Sequence, residues 1–353
     1  MRSVVATAVF ALLLQVGGVS AQAVAPGDVM ALPVELRERL HREVLADAPS
    51  PQERLDRLAE FMFAPEGLGM AYLETANLTV TQAYESRTAN CLSFTLLFLA
   101  LARESGLDAV PQEIEQTLGF RQADGTLYLS NHVNALVRVH GRRYTVDVAG
   151  DRIIARDRPT PIGLPRLIGH YYNNLAVEHL SAADLAAALS LLAISLELDP
   201  EYASYWSNLG VVQLRTGDAR AAETSYRKAL TLDPHNANAL FNLAGLAART
   251  GDRTLELEYR QRLARLQRND PFHHFMLAVN AGNAGDLVRA IRHYRRAVAL
   301  QPEEHRFHSA LANAYLEAGQ TQQAIRSLAR AQALSDGDTR AAYRQRIDAL
   351  RAR

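Results

Sequence analysis

Asn90-Cys91-Leu92-Ser93-Phe94-Thr95-Leu96-Leu97-Phe98-Leu99-Ala100-Leu101-Ala102-Arg103, closed by Gly106, is apolar on every side once wound into a helix. Such a helix is expected at the centre of a domain, not on its surface. Leu and Ala favour helix through its body, and Gly106 suits the position just past its end. Its first turn carries Cys91, the only cysteine of the chain. A thiol placed there meets unpaired backbone N–H groups and the positive end of the helix dipole, both of which favour the thiolate.

On the N-terminal side, Ser50-Pro51-Gln52-Glu53 combines an N-cap, a proline at the first helical position and a glutamate that closes a capping box. The stripe Leu55, Leu58, Phe61 and Met62 gives that helix a core-facing side. Leu36–Leu45 predicts an amphipathic helix, residues 22–32 a short linker, and Met70–Leu73 a short strand. On the C-terminal side, Ala109–Ile114 and Leu127–Leu129 predict strands around a loop with Asp124-Gly125. Val133, Ala135, Val137 and Val139 alternate with His132, Asn134, Leu136 and Arg138, as in a half-buried strand. Tyr144–Val148 then completes a hairpin. A tight turn at His140-Gly141 brings His132 and Asp147 to one face, nearly diagonal. A turn at Gly141-Arg142 leaves them about four residues apart along the sheet, roughly 13 Å, and requires a bulge.

The chain has 353 residues, 48% hydrophobic, with a formal net charge of zero. That suggests about two domains with proper cores and gives no electrostatic argument for nucleic acid or an anionic membrane surface. Basic charge is nearly all arginine, Lys228 being the single lysine. Met1-Arg2, the apolar run Val4–Val16 and the small residues at Val19-Ser20-Ala21 match a secretory signal peptide over residues 1–21. The protein is therefore expected to be periplasmic or secreted, where a lone cysteine has no intrachain disulfide partner.

Residues 158–168 are rich in Pro and Gly and read as a linker. Beyond them Gly217, Gly251, Gly285 and Gly319 recur every 34 residues. From Ala203, the positions of Trp206, Leu209, Gly210, Gly217, Ala222, Tyr226, Ala229 and Pro234 resemble the tetratricopeptide repeat. Later repeats keep Leu277, Ala278, Tyr294, Ala297, Pro302, Ala312, Tyr315 and Ala324. A degenerate first repeat carries Tyr172, Leu175, Ala176, Ala188 and Pro200. The repeat around Leu240–Leu266 is weak, with Glu256 and Arg260 at positions usually small or aromatic. The resemblance implies an all-α solenoid of about five repeats over residues 169–338, with a capping helix in 339–353. Asn174, Asn208 and Asn242 recur at the same period on first helices, the face that lines the groove in such proteins, and side-chain amides there can grip a peptide backbone. The implied partner is a protein or peptide. Phe272 and Phe275 offer either an apolar pocket or packing.

At Arg87-Thr88-Ala89-Asn90-Cys91, His132 and Tyr144-Thr145-Val146-Asp147, the first domain resembles the transglutaminase-like superfamily of papain-like thiol enzymes. The resemblance covers roughly residues 50–150 and implies an α+β domain, placed at 33–157, ahead of the all-α solenoid. Carried over, Cys91 is the nucleophile, His132 the general base and acid, and Asp147 the orienting carboxylate. Leu92 and Val133 stand where family members often carry aromatics, which bears on substrate class. The chemistry is coherent without the family. A thiol needs a base within reach to attack a carbonyl, and a carboxylate on the far ring nitrogen fixes the imidazole tautomer. The Cys91 N–H and Gln82 are candidate oxyanion donors. The implied activity is amide hydrolysis or acyl transfer, the alternative being a catalytically silent scaffold. His235, His273, His274, His293, His305 and His308 lack acidic or cysteine company at ligand spacing and read as surface. No metal, nucleotide or other cofactor motif is found.

Overall fold

In a computed structural model of the chain, residues 23–120, 127–148, 153–155 and 158–352 are described. The expected signal peptide and the Asp124-Gly125 loop lie outside them. Two compact units are formed: one runs to Gly119 and again from Ser130 to Asp252, the other holds Arg253 onward with the strand ends at Phe120 and Leu129.

The first unit opens on α1 (Val34–Leu40), which continues as a wider turn over His41–Leu45, and α2 (Pro51–Phe63). Ser50 and Glu53 form the reciprocal capping box that the sequence predicts. The segment read as a linker is more than that: Val29 is fully buried, and its carbonyl accepts from Val80 N–H at 3.0 Å. Two short strands, β1 (Ala71–Tyr72) and β2 (Thr88–Ala89), pair in parallel around α3 (Val80–Ser86). Then comes α4 (Cys91–Glu104), with every residue from Leu92 to Ala102 buried. It is ringed by α1, α2, α3 and the later α5 (Leu164–Ser181), so an all-round apolar sequence finds apolar partners on several sides.

Beyond α4 the chain forms an antiparallel sheet from β3 (Asp108–Phe120), β4 (Leu127–Val139), β5 (Arg142–Val146) and β6 (Ile153–Ala155), in spatial order β5-β4-β3-β6. A further strand, β7 (Thr160–Pro161), pairs with β3 through Glu113 and Gln112. The strands are longer than predicted, and Leu127–Leu129 belongs to the strand that carries His132. The β4–β5 register pairs Val139 with Arg142 and Ala135 with Val146, so the turn is His140-Gly141. Both turn residues have positive φ, 49° and 77°, the mirror-image geometry that matches strand twist.

The remainder is helical. α5 begins at Leu164, capped at Gly163, and β7 also lies within 158–168, so most of the predicted linker is ordered structure. α5 pairs with α6 (Leu185–Leu198), α7 (Ala203–Arg215) pairs with α8 (Ala219–Leu232), and α9 (Ala237–Thr250) packs on α8. A Cβ on Gly210 would lie 2.5 Å from the Tyr226 ring, which is why the paired helices need glycine there.

In the second unit α10 (Arg253–Arg268) buries only Tyr259 and spends Glu256 and Arg260 on each other at 2.8 Å. α11 (Pro271–Asn283) pairs with α12 (Leu287–Leu300), and α13 (His305–Glu317) with α14 (Thr321–Leu334). The last helix, α15 (Gly337–Arg351), covers α14 with Tyr343 and Ile347 packed on Leu328 and Ala331. Phe272 is fully buried and Phe275 stacks on Phe307 at 4.9 Å, so these aromatics serve packing. Gly217, Gly251, Gly285 and Gly319 all take φ between 71° and 92°, turning the chain out of one helix and into the next. One period earlier the same left-handed corner is made by Ala183, at φ 63°.

Candidate functional site

Asn90 caps α4 by accepting from Ser93 N–H at 2.9 Å, which makes Cys91 the first helical residue. Its backbone N–H, like those of the first turn generally, has no helical acceptor. The loop in front is pinned to the helix by Ser93. The buried Ser93 hydroxyl accepts from Leu78 N–H at 2.7 Å and lies 2.8 and 2.9 Å from the carbonyl oxygens of Ala76 and Leu78. On the sheet side, Thr95 Oγ1 reaches the Val133 carbonyl at 3.3 Å, which holds the start of α4 against β4.

His132 therefore sits beside Cys91, inside β4 and not at its start. It is 3% exposed, and its Nε2 lies 2.7 Å from Asp147 Oδ2. The half-exposed Cys91 side chain lies close enough to act on the ring's charge. With Nε2 engaged by Asp147, Nδ1 is the nitrogen left for the sulfur. Burial pulls the ring's pKa down, but the hydrogen-bonded Asp147 carboxylate, with the Cys91 side chain nearby, outweighs it and raises it to about 10. Three residues well separated in sequence thus meet at one seam between helix and sheet.

Gln82 has another task. Its Oε1 accepts from Thr79 N–H at 3.0 Å in a second capping box, at the start of α3. Asn134 also faces the site: its Nδ2 donates to Asp147 Oδ2 at 3.0 Å. Neighbouring Asn131 points the other way, as strand alternation requires. There it donates to Glu113 Oε1 at 3.2 Å. Glu113 is 2% exposed and also accepts from Tyr202 Oη at 2.8 Å. His170 Nε2 lies 3.3 Å from the same oxygen, and Arg166 Nη1 is 4.0 Å from Oε2. Burial works to raise the Glu113 pKa, but His170, Tyr202 and Asn131 hold it below the ordinary carboxylate value. This network joins the sheet to the first helical repeats. The polar pair Gln112-Glu113 inside an apolar strand was the sequence signal for it.

Of the three groove asparagines, Asn208 donates from Nδ2 to Asn173 Oδ1 at 2.7 Å, tying α7 to α5. Asn174 and Asn242 are half-buried at the matching positions of α5 and α9. Only His235 among the six solenoid histidines is exposed; His308 is buried, bonded to the Pro302 carbonyl at 2.9 Å, and His274 meets His293 at 3.1 Å. Among the described residues no helix is long and apolar enough to cross a membrane.

The C-terminal part of the chain is built of tetratricopeptide repeats: family-level comparison matches the tetratricopeptide repeat at residues 173–237, 212–272 and 283–351. Similar solved structures include a MamA fragment from Desulfovibrio magneticus RS-1, with 19% identity over 47% of this chain and 94% of that one, at TM-score 0.27. YrrB, described as a tetratricopeptide protein with an unusual peptide-binding site, is 22% identical over 50% of this chain and 91% of its own, at TM-score 0.27. PilF of Pseudomonas aeruginosa is 20% identical over 52% and 91%, at TM-score 0.27. No curated protein sequence matches the chain.

Proposed function

We propose that the N-terminal part is an exported thiol enzyme acting on amide bonds, resembling transglutaminase-like and papain-like enzymes, and that the repeats hold the protein or peptide it acts on. The observation that supports the enzyme reading most is the buried His132 ring, with Asp147 at 2.7 Å from Nε2 and the Cys91 side chain near enough to raise its pKa. In this reading the Cys91 sulfur attacks the amide carbonyl, and the Cys91 N–H at the helix start stabilises the oxyanion. The His132 imidazolium then gives its proton to the departing amine, leaving a thioester. Water or a second amine, deprotonated by His132, attacks the thioester and returns the sulfur, giving hydrolysis or transfer. Asp147 keeps the ring oriented throughout.

Cys91 is the only thiol, so its alkylation reports the site directly. Iodoacetamide should modify it at about pH 6 much faster than an ordinary free thiol, because the sulfur stands at a helix start beside His132. An ordinary rate, or a rate unchanged in His132→Ala, counts against the enzyme. The second reading, a catalytically silent exported scaffold, rests on the repeats alone. It predicts that partner capture survives Cys91→Ala with no processed product in the wild type. In both readings Asn174 and Asn242 contact the bound chain, and partner capture unaffected by their joint replacement with Ala would remove the groove.

A further inference from the structure

Asn134 stands two residues beyond His132 on the same face of β4 and is 3% exposed. Its Nδ2 donates at 3.0 Å to Asp147 Oδ2, the oxygen that also lies 2.7 Å from His132 Nε2. The other end of the amide, Oδ1, is buried with no hydrogen-bond partner among the described residues. A side chain that leaves an acceptor unpaired in the interior carries a desolvation penalty. Turning the amide over would set its oxygen against the carboxylate, so chemistry fixes which end faces Asp147. Asp147 itself lies one residue past the last paired position of β5, Val146, where the strand ladder no longer dictates its side-chain direction.

We propose that Asn134 is a positioning residue: it locks the Asp147 carboxylate with Oδ2 toward His132 Nε2, and so aims the opposite ring nitrogen at Cys91. The assignment rests on the thiol-enzyme reading above. Asn134 touches neither the sulfur nor any reacting atom, and its whole effect passes through Asp147. It follows that its loss changes the behaviour of the imidazole more than it changes the fold.

The test measures iodoacetamide alkylation of Cys91 in the full chain at about pH 6, together with the low-field proton resonance of the His132 Nε2–H. Asn134→Ala should slow alkylation by about tenfold or more, a part of the general acid–base contribution, and weaken or shift the resonance. Asn134→Ser, too short to reach Asp147 but able to keep a polar group in the space, carries the same test should the alanine variant fold poorly. In an Asp147→Ala background, Asn134→Ala should add nothing, since the group it acts on is gone. Wild-type speed in Asn134→Ala, or independent effects of the two substitutions, overturns the proposal while the fast wild type leaves the enzyme reading standing. A wild-type Cys91 no faster than a free thiol overturns both.

Discussion

His132 Nε2 lies 2.7 Å from Asp147 Oδ2 in a setting where the imidazole is 3% exposed. An isolated charge would be expelled from such a place; a paired one is held. Burial favours the neutral ring, the carboxylate and the sulfur favour the charged one, and the second influence prevails.

The ring should therefore titrate near pH 10 rather than at its ordinary 6.5, as followed by imidazole NMR. The sign follows from linkage: a raised pKa stabilises the folded chain fully below the unfolded value, and this is lost as pH rises through the folded one. Stability should fall between about pH 6.5 and 10. In Asp147→Ala burial gains weight and the titration moves down. A ring titrating at its ordinary value in both proteins would contradict the pairing.

Ser93→Ala removes the hydroxyl that receives Leu78 N–H at 2.7 Å and faces the Ala76 and Leu78 carbonyls. A half-buried donor then loses its partner, at about 1 kcal/mol. Denaturant unfolding should show that loss, and the loop beside Cys91 should exchange its amide hydrogens faster.

Glu113→Ala strips the acceptor from Tyr202 and Asn131 and leaves His170 and Arg166 without their shared carboxylate. Breaking a buried pair from one side costs about 3–5 kcal/mol. Because the Glu113 pKa is held down, its stabilisation is present above the unfolded value of 4.5 and drains away as pH falls through the folded one. The wild type should thus lose stability in acid below about pH 4.5 more steeply than the variant; equal slopes would refute it.

Ala183→Gly should stabilise. Ala183 is exposed with φ 63°, so glycine relieves left-handed strain of about 1 kcal/mol without removing any packing. A rise in thermal midpoint is the expected result, and a fall would show that the corner is held by something other than its own backbone preference.

Much of this was readable in the chain. Gly217, Gly251, Gly285 and Gly319 announce the repeat because only a few residue types accept a left-handed corner, so the sequence must spell it out. Ser50 and Glu53 announce a helix start for a similar reason, each satisfying a backbone group of the other. The pairing of His132 with Asp147 followed once the turn was placed at His140-Gly141, since register converts sequence distance into spatial distance. Asn134 and Glu113 were harder. Alternation says which face a polar residue shares but not whether that face is wet, and Asn134 on β4 and Glu113 on β3 each sit where their strand is buried on both faces. The ordered stretch from Thr160 into α5 was missed because Pro and Gly at a strand edge and a helix start look the same as Pro and Gly in a linker.

Asn131 and His132 are consecutive, yet one serves the Glu113 cluster and the other the cysteine. The consequence concerns how this chain can be cut. A gene fragment ending before α5 would keep the thiol, the imidazole and its carboxylate, but would strip Glu113 of His170, Tyr202 and Arg166 and open one side of the strand to water. The cluster of thiol, imidazole and carboxylate is thus not a detachable cassette: a fragment that keeps its strand covered must run at least through the first helical pair to Tyr202.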